Sequence, residues 1–74
     1  MARKAWEYRF VWLSVLNDRY VASSVNGEDL ADWRKGPPLH EFANQLGAEG
    51  WDLVSPVVAT GGYFAGLIFK RPQA

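Results

Sequence analysis

The spacing of apolar and polar residues changes character three times along the chain. From Trp6 it alternates, with Trp6, Tyr8, Phe10 and Trp12 on one side and Glu7 and Arg9 on the other, the two-residue period of a strand. Beyond Phe10 the second side turns apolar as well, through Val11, Leu13 and Val15. The end of this strand is therefore expected to be covered twice, once by a helix of the same domain and once by a second subunit. Asn17-Asp18 marks a turn, Tyr20–Val25 a short returning strand, and Asn26-Gly27 a second turn.

Residues 26–37 carry the weakest pattern: one helical turn through Glu28-Asp29-Leu30-Ala31-Asp32-Trp33, then Arg34-Lys35-Gly36, read as a mobile loop. A helix follows with Pro37-Pro38 in its first turn, where a missing N–H has no intrahelical partner to lose. Leu39, Phe42, Ala43 and Leu46 fall at i, i+3, i+4 and i+7, while His40, Glu41, Asn44 and Gln45 face away. Gly47 in the last turn costs roughly 1 kcal/mol relative to Ala, offset in this reading by close approach of helix to sheet. Gly50 stands at the C′ position, where the backbone turns left-handed.

Alternation resumes at Trp51, with Trp51, Leu53, Ser55 and Val57 assigned to one face. Pro56 has no amide hydrogen, so this strand lies at a sheet edge or is bulged. Thr60-Gly61-Gly62 is a hairpin turn; Tyr63–Lys70 returns with Phe64, Leu67, Ile68 and Phe69 as apolar weight, until Arg71-Pro72 stops it. The expected fold is a two-layer α+β domain over residues 1–74, with residues 1–4 a frayed lead-in. One helix packs on a three- to four-stranded, mainly antiparallel sheet in the order β-(β)-α-β-β.

Composition sharpens this picture. A chain of 74 residues buries only about 60% of its unfolded surface, so its core is marginal without a disulfide, a metal or a partner. Cysteine is absent, and the single His40 cannot build a zinc site alone. With 49% hydrophobic residues and four Trp, part of the apolar surface is expected to meet a second copy. Eight basic and eight acidic residues balance to zero, which argues against long nucleic acids as partners. No apolar run approaches the roughly 20 residues of a membrane span, and no signal-peptide pattern follows Arg3-Lys4, so a soluble, cytoplasmic protein is expected.

Three stretches resemble a known family. Trp6-Glu7-Tyr8-Arg9-Phe10, Asn44-Gln45-Leu46-Gly47-Ala48-Glu49-Gly50-Trp51-Asp52-Leu53-Val54-Ser55 and Ile68-Phe69-Lys70-Arg71-Pro72 are similar to domain of unknown function family 4177. These are small bacterial and phage proteins built around an L-G-x-E-G-W-[ED]-L-V core, here carried by Leu46, Gly47, Gly50 and Trp51. The resemblance covers roughly residues 5–72, and residues 17–36 are longer than the family pattern. It implies a strand–helix–hairpin fold and no agreed activity, so it transfers no catalytic residue.

The candidate sites each have a structural and a functional reading. Glu49 is either a general base or ligand contact, or a carboxylate tying the helix-to-strand junction to backbone or to an arginine. His40 has no Ser or Asp spaced for a triad and reads as a solvent-facing helix residue. Glu28, Asp29 and Asp32 lack the glycine and final glutamate of an EF-hand and read as a solvated loop. Gly61-Gly62 joins strands rather than opening a helix, so it is a turn and not a phosphate cradle. The aromatics form core or interface, or else a stacking platform, for which Trp33 beside Arg34 and Lys35 is the best candidate.

Two functions follow. The first is a non-enzymatic homo-oligomer, a dimer or larger, acting as a binding module whose interface uses Val11, Leu13, Val15, Phe64 and Ile68. The second is a small-ligand binder, for a nucleotide or similar molecule, with a pocket at the subunit junction formed by Trp33, Arg34, Lys35 and Glu49. Neither needs a metal or cofactor, and an enzyme would need a polar constellation that the sequence does not display.

Overall fold

Two tight turns shape the first third of the chain. In the computed structural model, which describes residues 5–73, Asn17 and Asp18 have φ of 53° and 62°, and Asn26 and Gly27 have φ of 52° and 85°. Paired positive φ values are what a two-residue hairpin turn requires, and Asn, Asp and Gly adopt them at least cost. The result is a meander of β1 (Trp6–Leu16), β2 (Arg19–Val25) and the two-residue β3 (Glu28–Asp29). A 3-10 turn at Trp33–Lys35, helix α1 (Leu39–Ala48), β4 (Asp52–Val58) and β5 (Phe64–Pro72) complete the order. The lead-in expected at residues 1–4 lies outside the described residues.

The fold is α+β, with one helix and an antiparallel sheet of five strands in the order β3-β2-β1-β5-β4. The sheet is wider than the three or four strands expected, because the weakly patterned segment after Asn26 adds β3 to the edge of β2. β1 and β5 pair from Trp6↔Pro72 to Trp12↔Gly66, so residues near both ends of the chain lie side by side. Pro38 stands in extended conformation as the N-cap of α1, so both prolines precede the helix instead of entering its first turn.

The helix ends as its sequence requires. Gly50 has φ 92°, its N–H donates to the Gly47 carbonyl at 3.0 Å, and the Trp51 N–H donates to the Leu46 carbonyl at 3.0 Å. Those two bonds form a Schellman turn, with Leu46 and Trp51 as its accompanying apolar pair. The turn carries Trp51 straight from the helix into the core, beside Val11, Ala22, Leu46 and Phe69. Leu13, Val25, Leu30, Phe42, Ala43 and Leu67 pack around them.

Three expectations need correction. Val11 is only 1% exposed and Leu13 packs against the same core, so the interface predicted on their side of β1 lies under α1. The Schellman turn delivers Trp51 to this same side of the sheet, beside Val11 and Phe69. Gly47 makes no close approach: a Cβ there would meet nothing within 4 Å. Leu53 pairs with Phe69 but Ser55 pairs with Ile68, so a bulge at Val54 moves Ser55 and Val57 to the other face from Trp51 and Leu53. Strand β4 is both an edge and bulged, as Pro56 demanded. Among the described residues no helix is long and apolar enough to cross a membrane.

Candidate functional site

With the helix on the Val11 side, the pleat turns Tyr8, Phe10 and Trp12 to the opposite face, and no element among the described residues covers them. They are 50%, 47% and 45% exposed. On the neighbouring strand Ile68 pairs with Phe10 and Gly66 with Trp12, and on β4 Val57 pairs with Gly66. The glycine is necessary here: a Cβ on Gly66 would lie 2.8 Å from the Val11 carbonyl oxygen and 3.1 Å from the Trp12 indole. The indole thus lies across Gly66, and Phe10, Trp12, Val57 and Ile68 border a shallow apolar slot of about 30 Å³. Lys70, paired with both Tyr8 and Asp52, closes one end of this face, its ammonium 4.3 Å from the centre of the Trp6 ring.

Of the residues predicted for an interface, Ile68 belongs to this uncovered face and Val11 and Leu13 do not. Val15 is exposed beyond the pairing with β5. Phe64 is half-exposed and leans on Tyr20, with ring centres 6.0 Å apart, and its N–H donates to the Tyr20 hydroxyl at 3.2 Å. Sequence alternation had placed Trp6, Tyr8, Phe10 and Trp12 on one side. The missing signal was which side α1 would take.

The other end of the helix face carries a stack. The Arg9 guanidinium lies 4.5 Å, and that of Arg71 4.4 Å, from the centre of the Trp51 ring. Arg71 also pairs with Glu7 through Nε and donates from Nη1 to the Glu49 carbonyl at 3.1 Å. Arg9 Nε and Trp51 Nε1 are buried without a hydrogen-bond partner among the described residues. Glu49 does tie the helix junction to an arginine, but through its backbone oxygen; its side chain is exposed.

Trp33, Arg34 and Lys35 make up the 3-10 turn, with the Arg34 guanidinium 4.5 Å from the centre of the Trp33 ring. Trp33 lines a cleft of about 290 Å³ together with residues of β2 and α1, whereas Glu49 belongs to the Arg71 junction past the far end of the helix. The four predicted ligand contacts are therefore not one site. His40 is exposed in the first turn of α1 and borders an open groove with Arg19 and Tyr20. It stands nine positions before Glu49, roughly 13 Å along a helix, too far for a shared proton. Among the described residues no three His, Asp or Glu side chains converge on a metal-sized site. No family model, curated protein or solved structure matches the chain.

Proposed function

We propose that this chain is a non-enzymatic interaction module that works as a symmetric homodimer, paired through the uncovered face of its sheet. The observation that carries this reading is the half-exposed row Tyr8, Phe10 and Trp12, continuous with Ile68 and Val57. Half of the 150–250 Å² an aromatic side chain can bury gives roughly 300 Å² from the three rings alone, already the scale at which a patch marks an interaction site.

A second copy of the chain fits this face better than another partner. A two-fold interface must be self-complementary, and here an apolar centre is bordered by one basic and one acidic residue, Lys70 and Asp52, at paired positions. The chain is neutral overall, so two copies do not repel. Edge-to-edge pairing is disfavoured, because β3 has two residues and β4 carries Pro56 and a bulge. Face-to-face packing remains, and it would cover what one helix cannot. The resemblance to domain of unknown function family 4177 favours a bacterial or phage protein and adds no activity.

Sedimentation equilibrium tests the reading. The expected result is a dimer that forms between about 1 and 100 µM, the weak end of specific association. Phe10→Glu is expected to remain folded and become monomeric. A wild-type chain that stays monomeric throughout that range refutes the proposal.

A further inference from the structure

The segment between β3 and α1 is held at both ends and bowed in the middle. The Leu30 N–H donates to the Ser23 carbonyl at 2.9 Å, which fastens it to β2. Pro38 anchors the other end, its carbonyl accepting from the Glu41 and Phe42 N–H groups at 3.0 and 3.2 Å. Between them Asp32, at φ 53°, turns the chain into the 3-10 turn. The Lys35 N–H closes on the Asp32 carbonyl at 2.9 Å and the Gly36 N–H on the Trp33 carbonyl at 3.0 Å. Gly36 is packed so tightly that a Cβ would lie 3.1 Å from the Trp33 oxygen, and Pro37 and Pro38 stiffen the exit.

The bowed segment stands over the cleft of about 290 Å³ rather than filling it. Ala22, a core residue of β2, forms its floor; Leu30, Trp33 and Phe42 are its walls, with Ala31 and Gln45 beside them. We propose that this cleft is a binding site for a small, uncharged aromatic molecule of one or two rings. Size excludes a helix or a peptide strand, since the volume lies at the lower limit of small-molecule pockets. The walls are largely apolar, and Gln45 adds an amide that both donates and accepts. Among the described residues no charged side chain lines the space, so an ionised ligand would lose its water without gaining a counter-ion. The cleft lies on the helix side of the sheet, away from Tyr8, Phe10 and Trp12, and stands independently of pairing through that face.

Indole is a suitable probe, titrated into isotope-labelled protein and followed by amide and indole N–H NMR shifts. The expected result is saturable shifts at Ala31, Trp33, Gly36, Phe42 and Gln45. They should vanish in Ala31→Leu, a substitution at an exposed position that fills the cleft and leaves the rest of the spectrum unchanged. Indole-3-carboxylate should bind about tenfold more weakly. If Ala31→Leu unfolds, Trp33→Leu is the second variant, expected to weaken indole binding about tenfold by removing a wall. The proposal is overturned by shifts that do not saturate, by shifts centred on Tyr8, Phe10 and Trp12, by affinity unchanged in the folded variant, or by tighter binding of the carboxylate.

Discussion

The Arg71 guanidinium lies 4.4 Å from the centre of the Trp51 ring, and its Nη1 reaches back to the carbonyl of Glu49, two residues before that tryptophan. One side chain of the last strand thus holds both the end of α1 and the ring that the helix delivers to the core. A planar guanidinium can stack and donate sideways at once; an ammonium cannot. The Glu7 pair is about one-third exposed on either side, so it adds little by itself. Arg71→Lys is expected to destabilise the fold by about 1–2 kcal/mol through the lost stack and fork. Urea unfolding with an unchanged slope checks this, and a loss under about 0.3 kcal/mol would show the contact to be incidental.

Trp51 itself separates packing from hydrogen bonding. Its ring is buried among Val11, Leu46 and Phe69, while its N–H has no acceptor among the described residues. Trp51→Ala should therefore cost about 3–5 kcal/mol, the loss of a large core ring. Trp51→Phe removes a donor that satisfies nothing and should cost only about 1–2 kcal/mol, mostly from a weaker cation–π contact. Equal losses in thermal unfolding would mean that the N–H is paired in solution.

Two glycines of the same turn should respond in opposite directions to alanine. Gly50 holds φ 92°, so Gly50→Ala places a Cβ in left-handed backbone and should cost about 1–2 kcal/mol. Gly47 is helical and exposed with open space around it, so Gly47→Ala should stabilise by up to about 1 kcal/mol. Denaturant midpoints of the two variants give the comparison. A loss at Gly47 would mean that something approaches this surface in solution.

Asn26 binds the backbone of Phe10 from both sides. The Phe10 N–H donates to Asn26 Oδ1 at 2.8 Å and the Asn26 N–H donates to the Phe10 carbonyl at 2.8 Å. This side chain continues the β1–β2 ladder through a turn residue at φ 52°. Asn26→Ala loses both the acceptor and the residue type that tolerates this φ, an expected cost of about 1–2 kcal/mol. Asn26→Gly restores the conformation alone and should recover part of it. Amide exchange at Phe10 reads the bond directly and should quicken in both variants.

Much of this architecture is legible in the residues. The i, i+3, i+4, i+7 stripe, Gly50, Pro56 and the Asn-Asp, Asn-Gly and Gly-Gly pairs each report a local constraint that tertiary packing leaves intact. What could not be read was relational. β1 is apolar on both sides past Phe10, so period alone does not say which side the helix takes; the structure packs Leu46 and Trp51 on the Val11 side. The bulge at Val54 inverts the faces that strict alternation assigns to Ser55 and Val57. Arg9 and Arg71 lie 62 residues apart, and only the β1–β5 register brings both against Trp51. The cleft beside Trp33 arises from small residues on separate elements, Ala22, Ala31 and Gly36, which no linear motif announces.

The most direct test mixes isotope-labelled and unlabelled protein and records proton contacts between copies. Pairing through the uncovered face predicts contacts from the Phe10 and Trp12 rings to the Ile68 and Val57 methyl groups of the other copy. A chain that shows no contact between copies at about 100 µM, with those rings exchanging contacts with water instead, contradicts it.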